Sequence, residues 1–143
     1  AFFYCYDVKS VTVSEGVKVI GYGVFGNCHS LETVIVPESI EELGSYVFSA
    51  CTATTIVLPD KEIKIGYNAF SQNSYYDDPS NWDGEFLYAG KHLVGIDRIE
   101  GDIVIKEGTL SISSDLFAYR TPLTGVEIPS SLKTIGKNMM KMK

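Results

Sequence analysis

The sequence is poor in the residues that usually carry crosslinks or chemistry. Its 143 residues include three cysteines, two histidines, three methionines and one tryptophan. Three cysteines cannot all pair, so no disulfide framework organises the chain. His29 and His92 stand far apart, and there is no C-x-x-C, so no zinc-ligand spacing exists. Basic residues are also scarce. Twelve Lys and Arg face eighteen Asp and Glu, a formal net charge of −6. Phosphate contacts need clustered cations, so no nucleic acid partner is expected. Long hydrophobic runs are absent too. The longest apolar stretch, Ala1 to Tyr6, is far short of the ~20 residues a bilayer needs and lacks the basic flank of a signal peptide. No N-x-S/T acceptor occurs. What remains is 45% hydrophobic and 12% aromatic, enough apolar surface for one folded domain.

That apolar content is periodic. Cys5, Cys28 and Cys51 are spaced by 23 residues, as are Phe2, Phe25 and Phe48. Phe70 follows 22 later, Phe117 lies about two periods beyond, and Met140 closes the series. Ile20, Leu43, Ile65, Ile112 and Ile135 each stand five residues before the aromatic slot, followed directly by Gly21, Gly44, Gly66, Ser113 and Gly136. A three-residue apolar strand heads each unit: Val11 to Val13, Val34 to Val36, Ile56 to Leu58, Ile103 to Ile105 and Val126 to Ile128. Pro37, Pro59 and Pro129 close three of them, with Ser14 and Lys106 in the same slot of two others.

These columns describe a solenoid. Alternation over three residues turns two side chains inward and one outward. Proline after the strand removes a ladder donor and keeps the strand short. The recurrent glycine predicts either positive φ or close approach of successive coils. A 23-residue unit leaves no room for a long helix, only a helical turn or 3₁₀ piece. One coil cannot bury its aromatic alone, whereas stacked coils share a continuous core. The expected fold is a β-rich, right-handed solenoid, with parallel short strands on one face and turns on the other.

The unit from Leu31, LETVIVPESIEELGSYVFSACTA, resembles the 23-residue repeat of the BspA-like leucine-rich repeat family of bacterial surface proteins. Its pattern, L-x-x-I-x-I-P then V/I-x-x-I-G-x-x-A-F-x-x-C, is met by Leu31, Val34, Val36, Pro37, Ile40, Leu43, Gly44, Val47, Phe48 and Cys51. The Cys slot departs to Asn73, Arg120 and Lys143. The resemblance implies a non-catalytic protein- or glycan-binding adhesion module, on the cell surface or secreted. A passive spacer presenting another domain is the alternative, and an enzyme a more distant one. Repeats are expected over 1–73 and 96–143. Both ends fall inside a repeat, which suggests a fragment of a longer array.

Residues 74–95 break the columns. Their first half is rich in turn formers and aromatics. Their second half, Glu85 to Val94, reads as a hairpin turning near Ala89 and Gly90, as the family often carries; a degenerate repeat with Tyr88, Ala89 and Leu93 in the columns is the other reading.

Several motifs imitate active sites. Gly21-Tyr-Gly23-Val-Phe-Gly26 is a literal G-x-G-x-x-G with Glu41 twenty residues on. A dinucleotide site needs a helix next, and here a Pro-closed strand follows. Cys28 beside His29 resembles a nucleophile and base, but the repeat places Cys28 in an apolar stack where a thiol acts as a small hydrophobe. Asp77, Asp78 and Asp83 are calcium-type ligands without EF-hand spacing. No catalytic residue, metal or cofactor is assigned. The candidate binding surface is the outward strand column, Thr12, Ile35, Val57, Val104 and Glu127, together with the insertion aromatics Tyr75, Tyr76 and Trp82. Ile35, Val57 and Val104 form an apolar stripe beside the hydroxyls of Ser10, Thr33 and Thr55. Tyr and Trp rings suit interface anchoring or sugar stacking.

Overall fold

A computed structural model of the chain describes residues 7–97, 100–114, 116–117 and 123–132. Phe2, Cys5, Arg120, Ile135, Gly136, Met140 and Lys143 of the repeat columns lie outside them. In chain order the elements are β1 (Ser10–Thr12), β2 (Val19–Ile20), β3 (Thr33–Ile35), β4 (Glu42–Leu43), β5 (Thr55–Val57) and β6 (Lys64–Ile65). A single helical turn α1 (Ser74–Asp77) and a 3₁₀ turn (Pro79–Asn81) follow. Then come β7 (Trp82–Asp83), β8 (Phe86–Ala89), β9 (His92–Ile96), β10 (Gly101–Val104), β11 (Ser111–Ile112) and β12 (Leu123–Glu127).

The result is a β-solenoid of about five turns with almost no helix. β1, β3 and β5 make one parallel ladder with Val11, Val34 and Ile56 in register, so identical repeat positions stack. A second parallel ladder, β2, β4 and β6, aligns Ile20, Leu43 and Ile65. In the sequence this column shows only as an apolar position before the glycine; stacking at repeat spacing is enough to pair its backbone as well.

The core follows the columns. Phe25, Phe48, Phe70 and Phe117 are each 1% exposed or less. Phe25 and Phe48 stack at 5.7 Å, and Phe48 meets Phe70 at 5.2 Å. Each such ring contributes roughly 1.5–3 kcal/mol by leaving water. Of the two roles open to the glycine column, close approach is the one observed. A Cβ on Gly44 would lie 2.6 Å from the backbone of Gly21 and Tyr22, and one on Gly66 would lie 2.4 Å from Ser45 N. Positive φ falls two residues later instead, at Gly23 (62°), Tyr46 (59°) and Asn68 (54°).

Asn73 marks where the pattern changes. It occupies the Cys slot and remains buried, but its amide donates to Phe48 O (3.0 Å) and its Oδ1 accepts from Tyr76 N (2.7 Å). A polar residue here caps α1 and turns the chain out of the coil. The hairpin reading of the next segment holds, with one more strand than expected. β7, β8 and β9 form an antiparallel meander, turning at Gly84 (φ 62°) and Gly90 (φ 61°). β9 then rejoins the solenoid by pairing in parallel with β11, which sets Leu93 against Ile112. Leu93 therefore stands beside the isoleucine column rather than in the aromatic one.

β8 and β9 are buried on both faces. Leu87, Ala89 and Val94 pack into the core of the first three coils, whereas Tyr88, Leu93 and Ile96 pack with Ile103, Ile105, Ile112 and Phe117. His92 is fully buried in this seam, its Nε2 hydrogen-bonded to Pro59 O at 2.8 Å.

Candidate binding surface

Ladder register places the predicted strand column. Thr12, Ile35 and Val57 are direct neighbours across β1, β3 and β5, and Val104 and Glu127 are neighbours across β10 and β12. All five are exposed, including the aliphatic Ile35 (39%), Val57 (47%) and Val104 (60%). The column is interrupted between Val57 and Val104: β10 and β12 form their own sheet, and the β7–β8 turn lies beside β10. The structure thus brings together two blocks of the stripe rather than one unbroken row. Flat strands with alternating side chains require this placement, because the residues flanking each exposed one, Val34 and Val36 or Ile56 and Leu58, are anchored in the core.

The insertion aromatics sit elsewhere. Tyr75 is buried at 8% exposure, donates its hydroxyl to Tyr88 O at 2.6 Å and meets Phe70 edge-on at 5.4 Å. Burial pushes its phenol up from the ordinary value of 10.0. Trp82 Nε1 donates to Tyr76 O at 2.7 Å, and the two rings meet edge to face at 5.1 Å, both partly buried against the core. These three side chains are packed where the columns break, and Tyr75 presents no face to solvent. Apolar area left open by the end of the third coil is what they cover.

The imitated active sites resolve into structure. Gly21 and Gly23 serve coil turns, and the chain proceeds to β3 without a helix. Cys28 is buried while His29 points to solvent. Cys51, buried beside it in the same column, has its thiol pushed up to about 11 by loss of hydration, which disfavours the thiolate a nucleophile needs. Among the described residues Cys28 and Cys51 form no disulfide. Asp78 caps the 3₁₀ turn through Ser80 N (3.0 Å) and Ser80 Oγ (2.8 Å), hydrogen bonds that hold its carboxyl below the usual range. Asp83 lies 3.5 Å from Lys106 Nζ. Among the described residues no cluster of three metal-type ligands occurs.

Two surface features escaped the sequence reading. Tyr22, Tyr46 and Tyr67 form a ladder of rings 5.5 and 5.2 Å apart, with Tyr22 72% exposed. Tyr46 reaches it from a left-handed backbone position, which costs an L-residue roughly 1–2 kcal/mol that two ring contacts of about 0.5–1.5 kcal/mol each offset. The second is a carboxylate column, Glu15, Glu38, Asp60 and Glu107, each immediately after the Pro slot. Its spacing follows the repeat and was legible once the columns were aligned. Glu107 is tied to the next coil, accepting from Ser130 Oγ at 2.7 Å and Ser131 N at 3.2 Å; the Ser130 hydroxyl, more than the backbone donors, holds its carboxyl below the usual range.

The repeat geometry has a counterpart among known families. The chain matches the family model for the BspA type leucine rich repeat region in six copies, over residues 1–80 and 99–142. It belongs to the BspA-type leucine-rich repeat family. The residues between the two matched stretches include β7, β8 and β9, the strands that depart from the coil pattern. No curated protein and no solved structure matches the chain. Among the described residues no helix is long and apolar enough to cross a membrane.

Proposed function

We propose that this chain is a non-catalytic binding module of a bacterial surface or secreted protein, engaging a protein or glycan partner through the outward face of its strands. One observation carries this reading: Ile35, Val57 and Val104 expose aliphatic side chains at equivalent repeat positions, with the hydroxyl residues Thr33 and Thr55 two places before Ile35 and Val57. Exposed aliphatics side by side, as Ile35 and Val57 are across β3 and β5, supply contact area for a partner. The surface and adhesion setting rests on family membership.

The test is a screen of the chain against immobilised extracellular-matrix proteins and a glycan array, repeated with Ile35→Ser/Val57→Ser. Loss of the captured partner at unchanged melting temperature supports the strand face. Capture indifferent to that double substitution moves the site elsewhere. A chain that binds nothing in either format favours the passive spacer.

A further inference from the structure

The proposed strand face has a charge that specifies its partner. At the C-terminal ends of the strands a hollow of about 440 Å³ is lined by Ile35, Val57, Pro37 and Pro59, with Glu15, Glu38 and Asp60 around it. A second hollow, of about 470 Å³, opens beside Val104 and Phe86 and is lined by Asp83, Glu85, Glu100 and Asp102. Among the described residues the two hollows together gather seven carboxylates and one cation, Lys106. Nearby lysines offset only part of this charge. Lys61 donates to the carbonyl of Glu38 at 2.6 Å, and Lys91 forms a single exposed pair with Asp60 at 3.8 Å. Exposed pairs of that kind are weak and exchange readily.

Lys106 shows how a cation fits here. Its ammonium lies 4.1 Å from the centre of the Tyr88 ring and 3.5 Å from Asp83 Oδ2, an aromatic face on one side and a carboxylate on the other. Glu85, Glu100 and Asp102 line the same hollow around it.

Resting on the strand-face reading, we infer that the partner of this face is an extended polypeptide segment in which lysine or arginine alternates with apolar side chains. Aliphatic stems and apolar residues cover Ile35, Val57 and Val104, and the cationic heads reach the carboxylates at the strand ends. A neutral or acidic segment would leave that charge uncompensated or opposed. A metal ion does not satisfy the site, since the described carboxylates do not converge into a three-ligand group.

The experiment uses the 143-residue chain and fluorescein-labelled peptides read by fluorescence anisotropy. The probe alternates valine and lysine; the comparisons are the same peptide with its lysines acetylated and one alternating valine and glutamate. Binding of the lysine peptide alone is expected, weakening as ionic strength rises from about 0.05 to about 0.5 M. Glu15→Gln/Glu38→Gln/Asp60→Asn should weaken it about tenfold or more, since each exposed pair is worth a factor of about two to five. Glu41→Gln/Glu42→Gln/Asp77→Asn removes equal charge away from this face and should change binding less than about threefold. Equal loss from both triple variants overturns the inference, because net charge alone then attracts the peptide. Acetylated peptide bound as well as the lysine form, with Ile35→Ser/Val57→Ser abolishing both, overturns the cationic partner and leaves the strand face standing. Lysine peptide unaffected by Ile35→Ser/Val57→Ser overturns the strand face itself, and no binding by any peptide overturns the inference.

Discussion

Replacing Gly44 by alanine adds one methyl group at the tightest contact between two coils. The new Cβ would sit 2.6 Å from Gly21 C and Tyr22 N, with Gly21 O at 2.9 Å, against ordinary contact at 3.4–4 Å. Those atoms are backbone, so no side chain can swing aside. The coils must separate by several tenths of an ångström, across the hydrogen bond from Gly44 N to Ile20 O, which is 2.7 Å. Overpacking of this kind costs about 1–3 kcal/mol. The strained hydrogen bond forfeits up to about 1 kcal/mol more. Opposing both, alanine restricts the unfolded chain and returns about 0.4–1 kcal/mol. The expected net loss is about 2 kcal/mol. Gly21 provides the internal control. It occupies the same column with open space around its Cβ position and no positive φ, so Gly21→Ala should stabilise by up to about 1 kcal/mol. Urea denaturation followed by far-ultraviolet circular dichroism measures both. Two glycine-to-alanine changes of identical chemistry should therefore differ by about 3 kcal/mol and in sign. Equal effects, or a neutral Gly44→Ala, would refute coil contact as the reason for the column.

Phe48→Ala removes a ring packed between Phe25 and Phe70 and should cost about 3–5 kcal/mol in chemical denaturation; a loss below about 1 kcal/mol would mean the column is not buried. Stability should fall on acidification through His92. Burial holds its imidazole below the ordinary value of 6.5, more than the Pro59 carbonyl and Asp60 raise it. The unfolded chain therefore binds the proton first, so the contribution is complete above about pH 6.5 and declines as pH drops toward the folded-state value. A urea midpoint that drops between about pH 7.5 and about pH 5.5, and drops less in His92→Gln, is the expected record; a midpoint rising on acidification contradicts it. Cys28 and Cys51 should ignore an aromatic disulfide reagent in the native protein and react fully in denaturant, whereas rapid native reaction would place them outside the core. Replacing Tyr75, Tyr76 and Trp82 together with serine should lower the melting temperature strongly, because they pack against Phe70, Tyr88 and one another; an unchanged melt would restore them as surface residues.

The coil was legible because every coil imposes the same demand at the same place. Val34 or Phe48 read alone is any buried apolar residue, but a column of them at fixed spacing has one geometric solution. The glycine column was legible as glycine and ambiguous as to cause, since close approach and positive φ both select that residue. The second ladder was not seen because two-residue strands such as β4 show no alternation. The packing of the insertion aromatics was hard to read for a related reason. A run such as Tyr75-Tyr76 carries no repeat partner to say which ring turns inward, and the hydrogen bond from Tyr75 to Tyr88 depends on a hairpin whose register no column fixes. The strand face lay between these cases. Alternation gave its direction, while the break between Val57 and Val104 came from the meander.

The two-faced burial of that meander makes it a party wall. Leu87, Ala89 and Val94 furnish one room, Tyr88 and Leu93 the other. In an unbroken solenoid, stability is a sum over neighbouring coils, and a lesion weakens mainly the interface it touches. A lesion in β8 or β9 withdraws support from both cores at once. The segment that departs most from the repeat is thus the least dispensable part of the stack. An excision that joined residue 73 to residue 96, trimming the chain to pure repeats, would take Leu87, Ala89 and Val94 from one core and Tyr88 and Leu93 from the other.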